Sequence, residues 1–221
     1  MAWKRREKVA IMEPLSMVSD VMSQILREEG GVIIEGTLSS FLSLQSLLEL
    51  RKIDVIFSEV YDANTSIIQG LDFLRKLKAQ FPAIDIIVHT EIEIPALLIQ
   101  SNADAIYMKQ LGVEGCRASA AQILNAESMV SVLFYEDRKR HYDFGMLNDF
   151  EWQVLIMFSQ QMSITTISTE MKTDYRRISR TKHAMMKKLK VSNNVAFSQL
   201  MALAGSKFGD YPPVSLNSPG Q

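Results

Sequence analysis

Residues 54–62 read DVIFSEVYD, an apolar strand-like run that ends by delivering a carboxylate, Glu59, to an edge. Runs of the same kind recur as KVAIM (8–12), GVIIEG (31–36), IDIIVHT (84–90) and ADAIYMKQ (103–110), all rich in Ile and Val. Between them lie segments of helical periodicity: SMVSDVMSQILREE, SSFLSLQSLLELR, IIQGLDFLRKLKAQF and, less regularly, IPALLIQSN. A further segment, VEGCRASAAQILNA, follows the last strand. Strand and helix therefore alternate five times. Strands that are apolar along nearly their whole length bury both faces, which predicts a five-stranded parallel, doubly wound α/β sheet. In such a sheet the functional crevice lies at the carboxyl ends of the strands, where Glu13, Glu59, Thr90 and Lys109 fall.

From Leu147 onward the pattern changes to helix throughout. Asn148 followed three residues later by Glu151 is a capping-box start for FEWQVLIMFSQ; SITTISTEMK, TDYRRISRTKHAMMKKL and SNNVAFSQLMALAG follow. These predict a four-helix domain over 147–204, preceded by a linker at 126–146 that mixes charge and aromatics. The first domain is expected to span 1–125. The Pro- and Ser-rich end, 205–221, is expected to be disordered.

The chain of 221 residues carries a net charge of −1, unevenly spread: residues 1–125 sum to −4, residues 126–146 to −1, residues 147–204 to +4 and the tail to zero. An acidic front and a basic back suit a regulatory domain joined to a nucleic-acid reader. Cys116 is the single cysteine, so no internal disulfide can form, and a reducing compartment is expected. No apolar run reaches the ~18–20 residues of a membrane span, and a cytoplasmic protein with no membrane partner is expected.

On the segment 174–189, DYRRISRTKHAMMKKL, Arg176, Ser179 or Arg180, His183 and Lys187 share one face, and Ile178, Met185 and Leu189 the other. Ser, Arg and His can hydrogen-bond base edges in a major groove, and Arg177, Lys182 and Lys188 flank the stripe where phosphates would lie. A basic amphipathic helix is also a common solvated surface. The preceding SITTISTEMKTD, readable as the positioning helix of a helix-turn-helix pair, favours the nucleic-acid reading.

The residues from Leu147 to about Met201, with E-x-x-V-L, I-x-x-I-S, RRISRTKHAMMKKL and VSNN, resemble the C-terminal DNA-binding domain of the LuxR/NarL/FixJ regulators. That resemblance implies that the third helix enters the major groove with Arg176, Arg177, Ser179, Arg180, Thr181, Lys182, His183 and Lys187 as its DNA-binding set. The fourth helix commonly pairs subunits. The family usually has glycine where Gln161 and Lys190 stand and favours Lys where His183 stands. The stretch VIFSEVYD…GLDFLRKLKAQFPAIDIIVHT…YMKQ resembles the receiver domain of response regulators, nearest in appearance to the RcsB and BglJ subgroup.

A phosphorylated receiver uses an Asp nucleophile after the third strand, an acid pair that holds Mg²⁺, a Ser/Thr and a Lys. Here the resemblance matches Thr90 and Lys109, but places Glu59 at the acceptor and Glu13–Pro14 at the acid pair. Proline supplies no ligand, and the longer Glu59 displaces the attacking oxygen, so aspartyl-type phosphorylation and metal binding are not expected. Two readings of Glu59 and Lys109 stand: a pair that holds an activated-like arrangement without phosphate, or a structural ion pair. Leu97, Leu98, Ile106 and Tyr107 lie on the candidate dimerisation face, with ordinary core as the other reading. The expected function is a DNA-binding regulator with a degenerate receiver, acting as a homodimer or as a heterodimer with an RcsB-like regulator on double-stranded promoter DNA. The rivals are a partner-binding modulator with little DNA affinity and a conventional phosphorylated regulator. No catalytic role or cofactor is expected: His89, His141 and His183 show no metal-ligand spacing, and there is no dinucleotide or Walker loop.

Overall fold

The computed structural model describes residues 7–92, 94–109, 147–207 and 209. The expected helix within VEGCRASAAQILNA, the linker at 126–146, Cys116, His141 and most of the tail lie outside the described residues.

Five parallel strands are present: β1 (Lys8–Met12), β2 (Ile33–Leu38), β3 (Val55–Ser58), β4 (Asp85–Thr90) and β5 (Ala105–Met108), in the order β2-β1-β3-β4-β5. The strand order reverses between β1 and β3, which places a crevice at their carboxyl ends. The helices between strands are α1 (Ser16–Gly30), α2 (Phe41–Leu50), α3 (Ile67–Gln80) and the short α4 (Pro95–Leu98), which tightens into a 3₁₀ turn at Ile99–Ser101. The sequence anticipated one helix over IPALLIQSN; the structure divides it, and Asn102 closes the turn in the left-handed region.

Alternate side chains of the strands fill two apolar clusters, one on each face of the sheet. Val9, Ile11, Val55, Phe57, Ile87, Ala105 and Tyr107 pack with Met22, Ile25 and Leu26 of α1. Ala10, Met12, Ile56, Ile86, Val88 and Ile106 pack with α2, α3 and α4 on the other side. Burial on both faces explains why the strands carry no polar alternation. The candidate dimerisation residues Leu97, Leu98, Ile106 and Tyr107 are all buried within these clusters, so the surface assignment is corrected to core. Their side chains are spent on covering the sheet. Gly70 allows α3 to close over the loop that follows β3: a Cβ there would overlap the Val60 carbonyl.

Beyond Leu147 four helices follow: α5 (Asp149–Ser159), α6 (Ile164–Glu170), α7 (Tyr175–Lys188) and α8 (Asn194–Ala204). Each begins on a polar cap. The anticipated capping box closes α5, with Asn148 Oδ1 accepting from Glu151 N at 2.9 Å and Glu151 Oε2 from Asn148 N at 2.7 Å. Ser163, Asp174 and Asn193 accept from backbone amides in the first turns of α6, α7 and α8. Trp152, Leu155, Ile167, Ile178, Met185, Phe197 and Met201 form their shared core.

This helical part packs on the sheet-bearing part through α3, with α5 and α8 against it. Ile67 N, in the buried first turn of α3, donates to Ser206 O (3.0 Å), and Leu147 N donates to Gln100 Oε1 (3.1 Å). Arg75 Nη2 lies 2.9 Å from both Asp72 of its own helix and Asp149 of α5, with its guanidinium over the Trp152 ring. Among the described residues no helix is long and apolar enough to cross a membrane.

Gln161 and Lys190 have φ of 62° and 53°. Both turns demand the left-handed conformation that glycine adopts without steric cost, which is the physical reason for glycine at such places. Gln161→Gly and Lys190→Gly are each expected to stabilise the protein by roughly 0.5–1 kcal/mol, the relief of strain exceeding the entropy gained by the unfolded chain. Thermal unfolding should show midpoints higher by about 1–4 °C; unchanged or lower midpoints would mean that the turns are not strained.

Candidate functional site

At the sheet edge Thr90 is the last residue of β4, and Glu13, Glu59 and Lys109 each stand one position past a strand but remain tied to the ladder. Glu13 N donates to Leu38 O (2.7 Å), Glu59 N to Met12 O (2.9 Å) and Lys109 N to Thr90 O (2.7 Å). The register sets Met12 opposite Ser58, so Glu13 and Glu59 emerge side by side. Both are buried, at 5% and 1% exposure.

Lys109 Nζ lies 2.6 Å from Glu13 Oε2 and 2.6 Å from Glu59 Oε2. The other carboxylate oxygens are also engaged: Glu13 Oε1 accepts from Leu15 N (3.0 Å) and Glu59 Oε1 from Val60 N (2.7 Å). Thr90 Oγ1 accepts from Ile92 N at 3.2 Å, and its hydroxyl favours the ionised form of Glu59. The structure thus brings together all four pocket residues singled out in the sequence.

Burial, reinforced by Glu13, pushes the Glu59 carboxyl up from its usual range, with Lys109 opposing. Burial works against the Lys109 charge, but Glu59 and Glu13 outweigh it and hold the ammonium above the ordinary lysine range. One cation faces two acids in a site nearly closed to water. Removing that cation would strand two buried carboxylates.

The phosphoryl transfer that the sequence resemblance implies requires Mg²⁺, and the donors here do not fit it. Mg²⁺ takes six oxygens in near-octahedral array. Pro14 presents no side-chain oxygen, and both carboxylates that could contribute are already in contact with the Lys109 ammonium. Among the described residues no three His, Cys, Asp or Glu side chains group as a metal site.

Sequence reading missed several residues around the pocket. Asp62 is buried and accepts from Phe41 N (2.8 Å), Asn64 N and Thr65 N (both 2.7 Å), which locks the loop after Glu59 to the start of α2. The YDANTS string carries an Asx-turn signal that could have revealed it. Tyr61 is buried with its hydroxyl donating to Glu91 Oε1 (2.8 Å); burial, then Glu59, raises its phenol well above the tyrosine range. His89, which shows no metal-ligand spacing in the sequence, is buried on β4, and burial together with Lys109 pushes it down to about 3.

The second cluster lies on α7. Its apolar face, Ile178, Met185, Met186 and Leu189, is buried, and Arg176, Arg177, Arg180, His183 and Lys187 are exposed. Ser179 and Thr181 are half-buried, and Thr181 Oγ1 donates to Arg177 O (2.9 Å). Arg177 lies over Phe150 at 4.2 Å. Lys182 rests between the Phe158 and Phe197 rings, at 5.6 and 5.0 Å. Lys188, expected beside the phosphates, is bound to the buried Glu151 at 2.7 Å. That pair ties the recognition-type helix to the cap of α5. The exposed stripe therefore reduces to Arg176, Arg180, His183 and Lys187 at helical spacing, beside Arg177.

Solved structures similar to this chain are those of RcsB. RcsB from Salmonella enterica serovar Typhimurium bound to promoter P1flhDC in the presence of phosphomimetic BeF3− is 21% identical, with a TM-score of 0.61 over 89% of this chain and 98% of that one. The same protein bound to promoter rprA gives 21% and 0.60 over 89% and 98%. An RcsB–DNA complex gives 21% and 0.54 over 90% and 98%. The fold is a receiver-like sheet followed by a helix-turn-helix unit. No protein-family model and no curated protein matches the sequence.

Two outcomes test the pocket. Lys109→Met should lower stability by about 3–5 kcal/mol, the range for breaking a buried ion pair, and the further change Glu59→Gln should restore part of it; chemical denaturation of both variants checks this. The folded-state pKa of His89 is depressed below its ordinary 6.5, so the unfolded chain takes up the proton first. Its contribution is present above pH 6.5 and is lost as pH falls toward about 3. His89→Gln should flatten the stability–pH profile in that window.

Proposed function

We propose that the chain is a DNA-binding transcription regulator whose receiver-like domain works without aspartyl-type phosphorylation. The observation that carries the DNA reading is the exposed stripe Arg176, Arg180, His183 and Lys187 on a helix whose opposite face is buried. A helix so anchored presents donors at major-groove depth, with Arg177 placed for phosphate contact. One solved structure with this fold is of two RcsB dimers bound to two parallel DNAs, which supports the same use of the helix here. The proposed DNA-binding set is Arg176, Arg177, Ser179, Arg180, Thr181, Lys182, His183 and Lys187, with Lys182 also seated on its aromatic shelf.

Phosphate independence rests on the pocket. Lys109 neutralises Glu59 and Glu13 from within, Pro14 offers no ligand, and both acids have every oxygen engaged. With no covalent switch, the population of the active form is governed by association, either with itself or with an RcsB-like regulator. Regulation by partner concentration follows.

Binding of the full chain to promoter DNA should weaken steeply with salt. Arg180→Ala should cost about tenfold in affinity and, if the contact is to phosphate, reduce the salt slope by about one. Incubation with a small phosphodonor and Mg²⁺ should leave the mass unchanged; a stable phosphoryl adduct on Glu59 would refute the degenerate pocket. Light scattering with and without an RcsB-like regulator separates homodimer from heterodimer.

A further inference from the structure

The stripe on α7 holds one residue whose chemistry differs from its neighbours. Arg176, Arg180 and Lys187 can only donate hydrogen bonds, so in a major groove they suit guanine N7 and O6, thymine O4 and phosphate oxygens. His183 can do either, and which one it does depends on where its ring proton sits. That position follows from the geometry. His183 Nδ1 lies 2.8 Å from the Ser179 carbonyl oxygen one turn earlier. A carbonyl oxygen carries no proton, so Nδ1 must donate. In the neutral ring the proton is therefore on Nδ1, and Nε2 bears a lone pair.

Nε2 sits across the ring from that bond, on a side chain exposed to solvent. The stripe thus presents an acceptor among donors. The groups that face the major groove as donors are the exocyclic amines, adenine N6 and cytosine N4. Lysine at this position would present donors alone and would favour guanine.

We propose that His183, held in its Nδ1–H tautomer by Ser179, is a specificity-determining residue that accepts a hydrogen bond from an exocyclic amine, adenine N6 or cytosine N4, in the bound site. This rests on the DNA-binding reading above and adds the class of base that is read. The hydrogen bond to the helix backbone also orients the ring before binding, so less freedom is lost on docking.

The experiment uses the full chain. Selection from random duplexes defines the bound sequence, and its bases are then replaced one at a time by analogues that leave pairing in place. 2-Aminopurine for adenine removes the N6 amine, and N4-methylcytosine for cytosine blocks the groove-facing hydrogen. One such replacement should weaken wild-type binding about five- to tenfold. His183→Ala should bind the unmodified site with a similar loss and be indifferent to the analogue at that position. His183→Lys should shift the preferred base there to guanine. His183 is exposed, so both variants should melt with the wild type.

The inference is overturned if neither 2-aminopurine nor N4-methylcytosine at any position affects wild-type binding, if His183→Ala stays sensitive to the same analogue, or if the position coupled to His183 responds only to 7-deazaguanine. In each of these cases salt-dependent binding survives, and so does the DNA-binding reading. Absence of binding to every duplex in the selection would instead overturn that reading and this inference with it.

Discussion

The shared ammonium of Lys109 is the contact on which the sheet edge depends. Two carboxylates emerge side by side because β1 and β3 are neighbours in register, and two buried acids so placed need a partner of opposite charge. Lys109 comes from the far edge strand, β5, and reaches over β4 to meet both. Three strand ends are thereby tied by one charge. Backbone amides of Leu15 and Val60 satisfy the remaining oxygens, so the arrangement leaves no polar group of either acid unpaired.

A second charged contact joins the two halves. Arg75 bridges Asp72 and Asp149 and covers Trp152, and the first-turn amide of α3 is capped by Ser206 from beyond α8. The apolar cluster on that side of the sheet continues into the helical part without a break. Movement of one half on the other would expose that surface, so α3 holds the sheet-bearing part and the helical part together. The Glu151–Lys188 pair extends the link, because it fixes the end of α7 to the α5 cap whose neighbour Asp149 meets Arg75.

Among the basic residues of α7, tertiary packing divides the labour. Lys188 and Lys182 serve the fold, one through a buried carboxylate and one through two rings, and Arg177 lies over Phe150. Arg176, Arg180, His183 and Lys187 are left to solvent. Sequence periodicity cannot make this division, since a lysine beside an apolar face can extend toward water or fold back onto aromatic carbon.

Much of the fold was legible in the chain. Five Val- and Ile-rich runs separated by amphipathic segments determine a parallel doubly wound sheet, because only burial on both faces suits strands without polar alternation. The Asn148–Glu151 box was readable from local hydrogen-bond chemistry alone. The four residues at the strand ends were legible for the same reason: topology sends strand ends to one edge. Other features depended on contacts between residues distant in sequence. That Lys109 serves both acids, that Leu97, Leu98, Ile106 and Tyr107 are core, and that Lys188 is committed to Glu151 are decided by which surfaces meet, and a one-dimensional pattern holds no distances between them.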